Sequence, residues 1–133
     1  MTATIPPEAY GILDAPEFAV IATMNPNGFP QQTVVWVERD GNDLLFSTIK
    51  GRRKTLNMER DPRVSLLVYP RDAPYTYVEV RGTVTMTEEG GRELIDRLNQ
   101  HYNGTERYVG DDGTDNVRIV CRVTPDKVIA RLP

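Results

Sequence analysis

Histidine, cysteine and tryptophan each occur only once among the 133 residues, and this scarcity argues against several kinds of site. The single cysteine, Cys121, cannot form an internal disulfide, so the sequence gives no reason to place the protein in an oxidising compartment. We therefore expect a cytoplasmic protein. Because Cys121 alternates into an apolar strand, we interpret it as a core residue rather than a nucleophile. With His101 as the only histidine, metal sites and Ser-His-Asp triads lack their usual partners, and we predict no metal site.

Long apolar runs, linkers and nucleotide-binding glycine motifs are missing as well. No segment approaches the roughly 18 apolar residues of a membrane span, and the N-terminus lacks the pattern of a signal peptide, so we expect no membrane association. No linker divides the chain, which predicts a single domain over residues 1–133. Neither GxGxxG nor GxxxxGK[ST] occurs, so neither a Rossmann domain nor a P-loop is predicted. The formal net charge of −3 argues against general nucleic-acid binding.

Turn signals recur every ten to twelve residues between β-rich runs, a spacing typical of an antiparallel barrel or sandwich. The first half of the chain predicts a short helix ending near Asp14, strands over 18–24, 31–39 and 44–48, a helix over 53–61 and a strand over 64–69. The second half predicts a strand over 75–86, a helix capped by Thr87, a polar loop over 103–115, and strands over 117–123 and 127–132. The predicted fold class is therefore mainly β, with six to seven antiparallel strands and a few short helices.

Positive charge is concentrated between residues 50 and 63, where six cations stand against two anions. This segment carries +4, so the rest of the chain carries −7. Four of the cations crowd the loop and first turn of the predicted helix: Lys50, Arg52, Arg53 and Lys54. A cation there costs roughly 0.3–1 kcal/mol at low salt, because free backbone N–H groups already carry partial positive charge. The cluster favours a bound anion such as a phosphate, although charge alone leaves a solvated surface loop equally open.

Polar and aromatic side chains elsewhere could complete such a site. The hydroxyl groups of Ser47 and Thr48, just before the basic segment, could add donors to an anion. Trp36 is predicted to share a strand face with Gln32 and Val34, and a later strand presents Tyr75 and Tyr77 outward. Flat side chains of this kind can flank a planar ring. Ordinary packing in the core or at a subunit interface is the competing interpretation, and only the combination with the basic segment favours a cofactor site.

Residues 18–23, the turn at 27–31 and above all the segment 51–64 resemble the pyridoxamine-phosphate-oxidase-like split β-barrel superfamily. Within it, the sequence most resembles the actinobacterial deazaflavin (F-420)-dependent oxidoreductases. The resemblance extends over nearly the whole chain. It implies an FMN-binding-like split β-barrel that forms a homodimer, with two equivalent cofactor grooves at the subunit interface.

The resemblance also implies roles for individual residues. The end of the third strand and the following basic loop would hold the cofactor's phosphate, through Ser47, Thr48, Arg52, Arg53 and Lys54. The ring system would be bordered by Gln32, Thr33 and Val34, with Tyr75 and Tyr77 supplied by the neighbouring subunit. Lys50 and Arg52 are the candidates for the acidic oligoglutamate tail of the deazaflavin coenzyme.

The implied activity is hydride transfer from reduced F-420 to a small unsaturated organic substrate, with the protein supplying binding, orientation and exclusion of water. No dedicated proton donor is evident: Tyr75 or Tyr77 could supply the proton, but an unperturbed tyrosine has a pKa of about 10, so solvent could serve equally well. Three alternatives stay open at this point: an FMN-dependent reductase or oxidase on the same barrel, a non-catalytic deazaflavin carrier or sensor, and a plain anion-binding module.

Overall fold

A computed structural model describes residues 2–133, which contain seven strands and three α-helices. In chain order, after a 3-10 turn at Pro7–Ala9, the elements are α1 (Tyr10–Asp14), β1 (Ala19–Met24), β2 (Pro30–Val35), β3 (Glu38–Asp40), β4 (Asp43–Ile49), α2 (Arg53–Arg60), β5 (Arg63–Val68), β6 (Tyr77–Thr87), α3 (Gly91–Asn103) and β7 (Arg118–Arg131). This content confirms the predicted fold class. None of the helices in the described part of the chain has the length and apolar character that crossing a membrane would require.

The strands form one sheet in the order β2-β1-β5-β6-β7-β4-β3, and every neighbouring pair is antiparallel. Alternate residues of six strands meet in a single core, which also takes residues from α1 and α2. Val35 near one edge of the sheet and Phe46 near the other belong to this same core, so the sheet must curve round on itself. Cys121 is fully buried there, as expected for a core residue.

The predicted strand over 31–39 is wrong, because this segment is divided between opposite edges of the sheet. β2 pairs with β1 at one edge, whereas β3 pairs with β4 at the other. The chain crosses between the edges at Trp36 and Val37, where the Tyr102 hydroxyl accepts a hydrogen bond from the Val37 N–H at 3.0 Å. Trp36 therefore lies on the crossing and not on a strand face with Gln32 and Val34. An alternating pattern cannot reveal a crossing, since the alternation continues through it.

Two predicted boundaries in the second half also differ from the structure. β6 begins at Tyr77, and Tyr75 lies in the preceding turn with 85% of its surface exposed. Thr87 does not cap α3: it is still paired in β6, and its hydroxyl accepts the Glu89 N–H in a local turn. α3 instead begins at Gly91, after Gly90 has reversed the chain with a φ of 81°. Glycine adopts this left-handed conformation without steric cost.

The two strands predicted at the end of the chain form one continuous strand, β7, with Pro125 inside it. Proline has no N–H to donate, so it is tolerated here at a bulge. Gly82 lies opposite Pro125, next to the register shift in β6. A Cβ at Gly82 would lie 2.2 Å from the Thr124 carbonyl oxygen, so only glycine allows this close approach. The Pro125 carbonyl accepts a hydrogen bond from the Ala3 N–H at 2.9 Å.

Candidate functional site

A pocket of about 330 Å³ opens where the end of β4, the start of α2 and one side of α3 meet. This volume lies at the lower end of the range, roughly 300–1,000 Å³, that small-molecule sites occupy. The lining residues are far apart in the sequence: Phe18, Val34, Val35, Trp36, Ser47, Thr48, Ile49, Arg52, Lys54, Ile95, Leu98, Tyr108 and Arg118. The pocket therefore combines three cations with aromatic and aliphatic side chains.

The Lys54 ammonium group is the most unusual of these cations. It is half-buried, and no carboxylate within the described residues forms an ion pair or hydrogen bond with it. Burial is the main reason why its pKa is lowered from the ordinary value, and repulsion from Arg52 and Arg118 lowers the pKa further. A partly desolvated cation without a partner is unfavourable, and a bound anion would relieve both effects.

The start of α2 lies beside Lys54 and is held against β4 by two threonines. The Thr55 hydroxyl donates to the Ile49 carbonyl at 2.7 Å and accepts from the Thr48 hydroxyl at 2.9 Å. The proton of Thr48 is thus used within the fold, although Thr48 lines the pocket. Among residues 2–133 no side chain caps α2, and no acidic residue lies in its first turn, so its free N–H groups add to the positive potential.

Aromatic side chains form another part of the pocket wall. The rings of Trp36 and Tyr102 are stacked with centroids 5.4 Å apart and an interplanar angle of 17°. Tyr108 packs edge-on against Trp36 at 6.1 Å, and Phe18 stacks on Tyr102 at 6.0 Å. One side of Trp36 is therefore covered by Tyr102, as the packing interpretation expects, while the half-buried indole still lines the pocket.

Arg118 lines the pocket, although no candidate site residue was predicted in the strand over 117–123. It lies opposite Ile49 in the pairing of β4 with β7, and Asp111 accepts hydrogen bonds from its Nε at 2.7 Å and its Nη2 at 3.0 Å. Its Nη1 donates to the Ser47 hydroxyl oxygen at 3.3 Å. The Arg118 hydrogen bond is the main cause of the lowered pKa of Asp111. No local signal in the sequence links these residues, because the loop that carries Asp111 must first fold back.

Six of the twelve predicted site residues lie together in this pocket: Val34, Trp36, Ser47, Thr48, Arg52 and Lys54. Two of the predicted cations lie outside it. The Lys50 ammonium pairs with the Glu88 carboxylate at 3.1 Å, and Arg53 is exposed on the first turn of α2. The four cations that are close in the sequence are thus separated in space, and only Arg52 and Lys54 line the pocket.

The other four predicted residues lie away from the pocket. Gln32 and Tyr77 line a second groove of about 650 Å³ over β1, β5 and β6. Tyr75 is exposed in its turn and lines neither concavity. The Thr33 hydroxyl is buried and has no hydrogen-bond partner in the described part of the chain. Within one subunit, these four side chains are not brought to the cationic pocket.

Comparisons with known proteins identify the family to which this fold belongs. Residues 5–131 match the protein family described as pyridoxamine 5'-phosphate oxidase. A solved structure named F420 reductase is 30% identical, with a TM-score of 0.82 over 94% of this chain and 98% of that chain. A conserved hypothetical protein from Mycobacterium tuberculosis is 22% identical, with a TM-score of 0.76 over 96% of this chain and 84% of that one. General stress protein 26 from Bacillus anthracis strain Sterne shares the fold at 19% identity, with a TM-score of 0.68 over 91% and 88% of the two chains.

Proposed function

Since the chain belongs to the pyridoxamine 5'-phosphate oxidase family, whose members bind flavin-type cofactors, we propose that it is a deazaflavin-dependent reductase. In this proposal it binds coenzyme F-420 in the cationic pocket and transfers a hydride from the reduced coenzyme to a small unsaturated organic substrate. The observation that carries the proposal is the half-buried Lys54 ammonium group beside Arg52 and the start of α2, where the described residues supply neither a carboxylate partner for Lys54 nor a side-chain cap for the helix. The likeness to a structure named F420 reductase supports the choice of deazaflavin.

The residues of the pocket suit such a coenzyme in charge and in aromatic character. Arg52, Lys54 and the first-turn N–H groups of α2 can make charge-assisted hydrogen bonds to a phosphate, which are stronger than neutral ones. Trp36 and Tyr108 supply an aromatic wall against which a planar ring can pack. A cationic corner next to an aromatic wall suits a phosphate-bearing ring better than a simple anion.

The reduced deazaflavin, when bound, supplies a hydride for addition to an electron-poor double bond. The chain holds the coenzyme by its phosphate through Arg52 and Lys54. Ile95 and Leu98 on α3 add apolar surface to the same pocket. A ring packed against them would displace water, which strengthens the electrostatic contacts inside. The proposal needs no proton donor from the chain, because water can supply the proton that completes the reduction.

A cofactor titration followed by coenzyme fluorescence tests the proposal. Purified protein is mixed with F-420 and, separately, with FMN at two salt concentrations. We expect saturable F-420 binding that weakens at the higher salt concentration, because screening acts on the partly exposed cations. Tight FMN binding without affinity for F-420 would reassign the site to FMN.

Two matched lysine variants test whether F-420 binds in this pocket. Lys54→Met is expected to weaken F-420 binding by about tenfold or more, since a charge-assisted contact is lost. Lys127→Met removes an exposed lysine of β7 outside the pocket and should leave binding unchanged. Equal affinity in both variants and the wild type would reject this pocket as the site.

Turnover distinguishes a reductase from a carrier. Reduced F-420 is incubated with the protein and a panel of enones, quinones and tetrapyrroles, and its reoxidation is followed anaerobically by absorbance. Protein-dependent hydride loss with at least one class is the expected outcome. Binding without hydride loss across the whole panel would indicate a deazaflavin carrier or sensor instead.

We also propose that two copies associate and that each supplies Tyr75 and Tyr77 to the cofactor site of the other. The position of both tyrosines outside the pocket of their own subunit supports this proposal, as does the second groove beside Gln32 and Tyr77. Sedimentation velocity should give a dimer, and Tyr77→Ala should weaken F-420 binding. A monomer that binds F-420 with full affinity would contradict the shared site.

Lys50 is close in sequence to the pocket residue Arg52 but is paired with Glu88, so we propose a narrower role for it. It contacts the acidic tail that F-420 carries and FMN lacks. Lys50→Met should therefore weaken F-420 binding, with a larger effect for longer oligoglutamate tails, and should not change FMN binding. An equal effect on both cofactors would contradict this role.

A further inference from the structure

The Arg118 guanidinium group is held on the pocket wall by a carboxylate that lies behind it. Asp111 accepts from Nε at 2.7 Å and from Nη2 at 3.0 Å, and the two side chains are only 9% and 12% exposed. This bidentate pairing fixes the guanidinium plane and leaves Nη1 to donate to the Ser47 hydroxyl oxygen. Since that oxygen accepts from Arg118, the Ser47 proton is free to donate to a ligand in the pocket that both residues line.

Asp111 is itself fixed from several directions. The Asn116 side-chain amide donates to its Oδ1 at 2.9 Å, and Arg92 Nη1 lies 3.7 Å from its Oδ2. The Thr114 hydroxyl donates to its backbone carbonyl at 2.6 Å. A carboxylate anchored in this way provides a rigid support for Arg118, unlike an ion pair between two mobile surface side chains.

The pairing also divides the pocket cations into two kinds. Asp111 neutralises Arg118, whereas Arg52 and Lys54 have no carboxylate partner in the described residues. Arg52 and Lys54 can therefore attract an anion, whereas Arg118 can fix the orientation in which the anion binds. A cofactor that must be oriented for hydride transfer needs both.

We propose that Asp111 is a positioning residue of the cofactor site, which orients Arg118 and, through it, the Ser47 hydroxyl toward the bound phosphate. This inference rests on the proposed function, because it takes the pocket to be the cofactor site. Asp111 does not touch the ligand, and its effect is transmitted by the Arg118 guanidinium group.

Charge and positioning make opposite predictions for Asp111→Asn. The substitution makes the site more positive by one charge, so an effect of charge alone would tighten the binding of an anion. Loss of positioning would weaken it. Asp112→Asn is the matched control, because it changes the net charge equally at the next residue, where the carboxylate pairs with exposed Arg107 outside the pocket.

The affinities for F-420 and for inorganic pyrophosphate are measured by calorimetry on the full chain. We expect Asp111→Asn to weaken both by about tenfold or more, as expected when an oriented charge-assisted donor is lost. Asp112→Asn should bind like the wild type, and Asp111→Glu should recover part of the loss because it restores a carboxylate. Unchanged or tighter binding by Asp111→Asn would overturn the proposal.

A double-mutant cycle tests whether Asp111 acts through Arg118. Asp111→Asn should have little further effect in the Arg118→Met background, since the group that it positions is already absent. Equal effects in both backgrounds would overturn the proposed relay. If Asp111→Asn does not fold, the affinity of Arg118→Lys for F-420 and pyrophosphate is measured instead. This variant keeps the positive charge but loses the bidentate geometry, so it should bind both ligands as weakly as Arg118→Met.

The Arg118 Nε–H signal in a ¹⁵N-resolved NMR spectrum distinguishes positioning from a merely structural role of Asp111, because a merely structural role would not change this signal. It should be visible and protected from exchange in the wild type and in Asp112→Asn, shift on addition of pyrophosphate, and disappear in Asp111→Asn. The proposal would be overturned by an Arg118 Nε–H signal that stays protected in Asp111→Asn. It would also be overturned if this signal does not shift when pyrophosphate is added to the wild type.

The two proposals fail in different ways. If pyrophosphate shifts the Arg118 signal and its binding depends on Asp111, but neither F-420 nor FMN binds, the proposed function fails and the positioning role stands. If F-420 binds and Asp111→Asn retains full affinity, the positioning role fails and the proposed function stands.

Discussion

Gly91 packs so closely against Arg118 that a Cβ at Gly91 would lie 2.1 Å from the Arg118 carbonyl oxygen. The start of α3 therefore touches the backbone of β7 with no space for a side chain. Ile95 and Leu98, further along α3, line the pocket together with the Arg118 side chain. The contact between Gly91 and Arg118 thus sets the distance between two walls of the candidate site.

Gly91→Ala should lower the free energy of unfolding by about 1–3 kcal/mol, the usual cost of adding a methyl group where the packing is tight. It should also weaken F-420 binding, because α3 must move away from β7. Urea denaturation and the cofactor titration measure the two effects.

The control for this prediction is Gly11→Ala. Gly11 lies in α1, where an added methyl group would have no atom within 4 Å and where φ is not positive. Alanine is favoured over glycine in a helix by up to about 1 kcal/mol, so this variant should be as stable as the wild type or slightly more stable. Equal stability of Gly91→Ala and Gly11→Ala would contradict the packing argument.

Lys54→Met should raise the free energy of unfolding of the ligand-free protein at neutral pH, because burial of the unpaired ammonium group opposes folding. The sign of the pH dependence follows from the lowered pKa in the folded state. Between that pKa and the ordinary value of 10.5, the unfolded chain binds more protons, so the wild type gains stability as the pH rises.

Urea denaturation at neutral and alkaline pH checks this prediction. The stability difference between Lys54→Met and the wild type should be largest at neutral pH and should shrink toward pH 10.5. Lys127→Met, at an exposed position, should show no such trend. A Lys54→Met protein that is less stable than the wild type at neutral pH would mean that the ammonium group has a partner in solution.

Trp36 should report ligand binding directly, because it is the only tryptophan of the chain and lines the pocket. A conjugated ring bound beside the indole is expected to quench its emission. Titration with F-420 should therefore decrease the tryptophan fluorescence with the same midpoint as the coenzyme signal. In Lys54→Met the midpoint should move to higher coenzyme concentration, and unchanged emission at saturation would place the ring elsewhere.

Cys121 should be unreactive in the folded protein. Its side chain is fully buried, and burial raises the pKa of the thiol to about 12, so almost no thiolate forms at neutral pH. A disulfide reagent that releases a coloured thiolate should give no signal with native protein and one equivalent in urea. Rapid labelling without denaturant would contradict the burial of Cys121.

Much of the fold could be predicted from the sequence. The alternation of Val78, Val80 and Val84 predicted a half-buried strand, and all three residues are buried in β6. Leu94 and Leu98 predicted the buried side of α3 in the same way. These patterns are reliable because side chains repeat every two residues in a strand and about every 3.6 in a helix. The boundaries at Tyr75 and Thr87 were less predictable, since neighbouring elements decide where a strand begins and ends.

The candidate site could be predicted only in part. Lys54 was found from its charge and its place at a helix start, and Trp36 from its chemistry. Arg118 was missed because its pocket position depends on the pairing of β4 with β7 and on the loop that carries Asp111. Lys50 was included because it is close in sequence, but its partner in space is Glu88.

Local sequence is enough to predict most element types, the core-facing residues and the excess of positive charge around the start of α2, because these properties depend on residues a few positions apart. Which cations share a pocket and which are paired elsewhere depends on how the strands and helices pack. The contact between Ser47 and Arg118 joins residues 71 positions apart, and it exists only because the curved sheet places β4 and β7 side by side. Distances of that kind are set by strand pairing and packing, which no local pattern encodes.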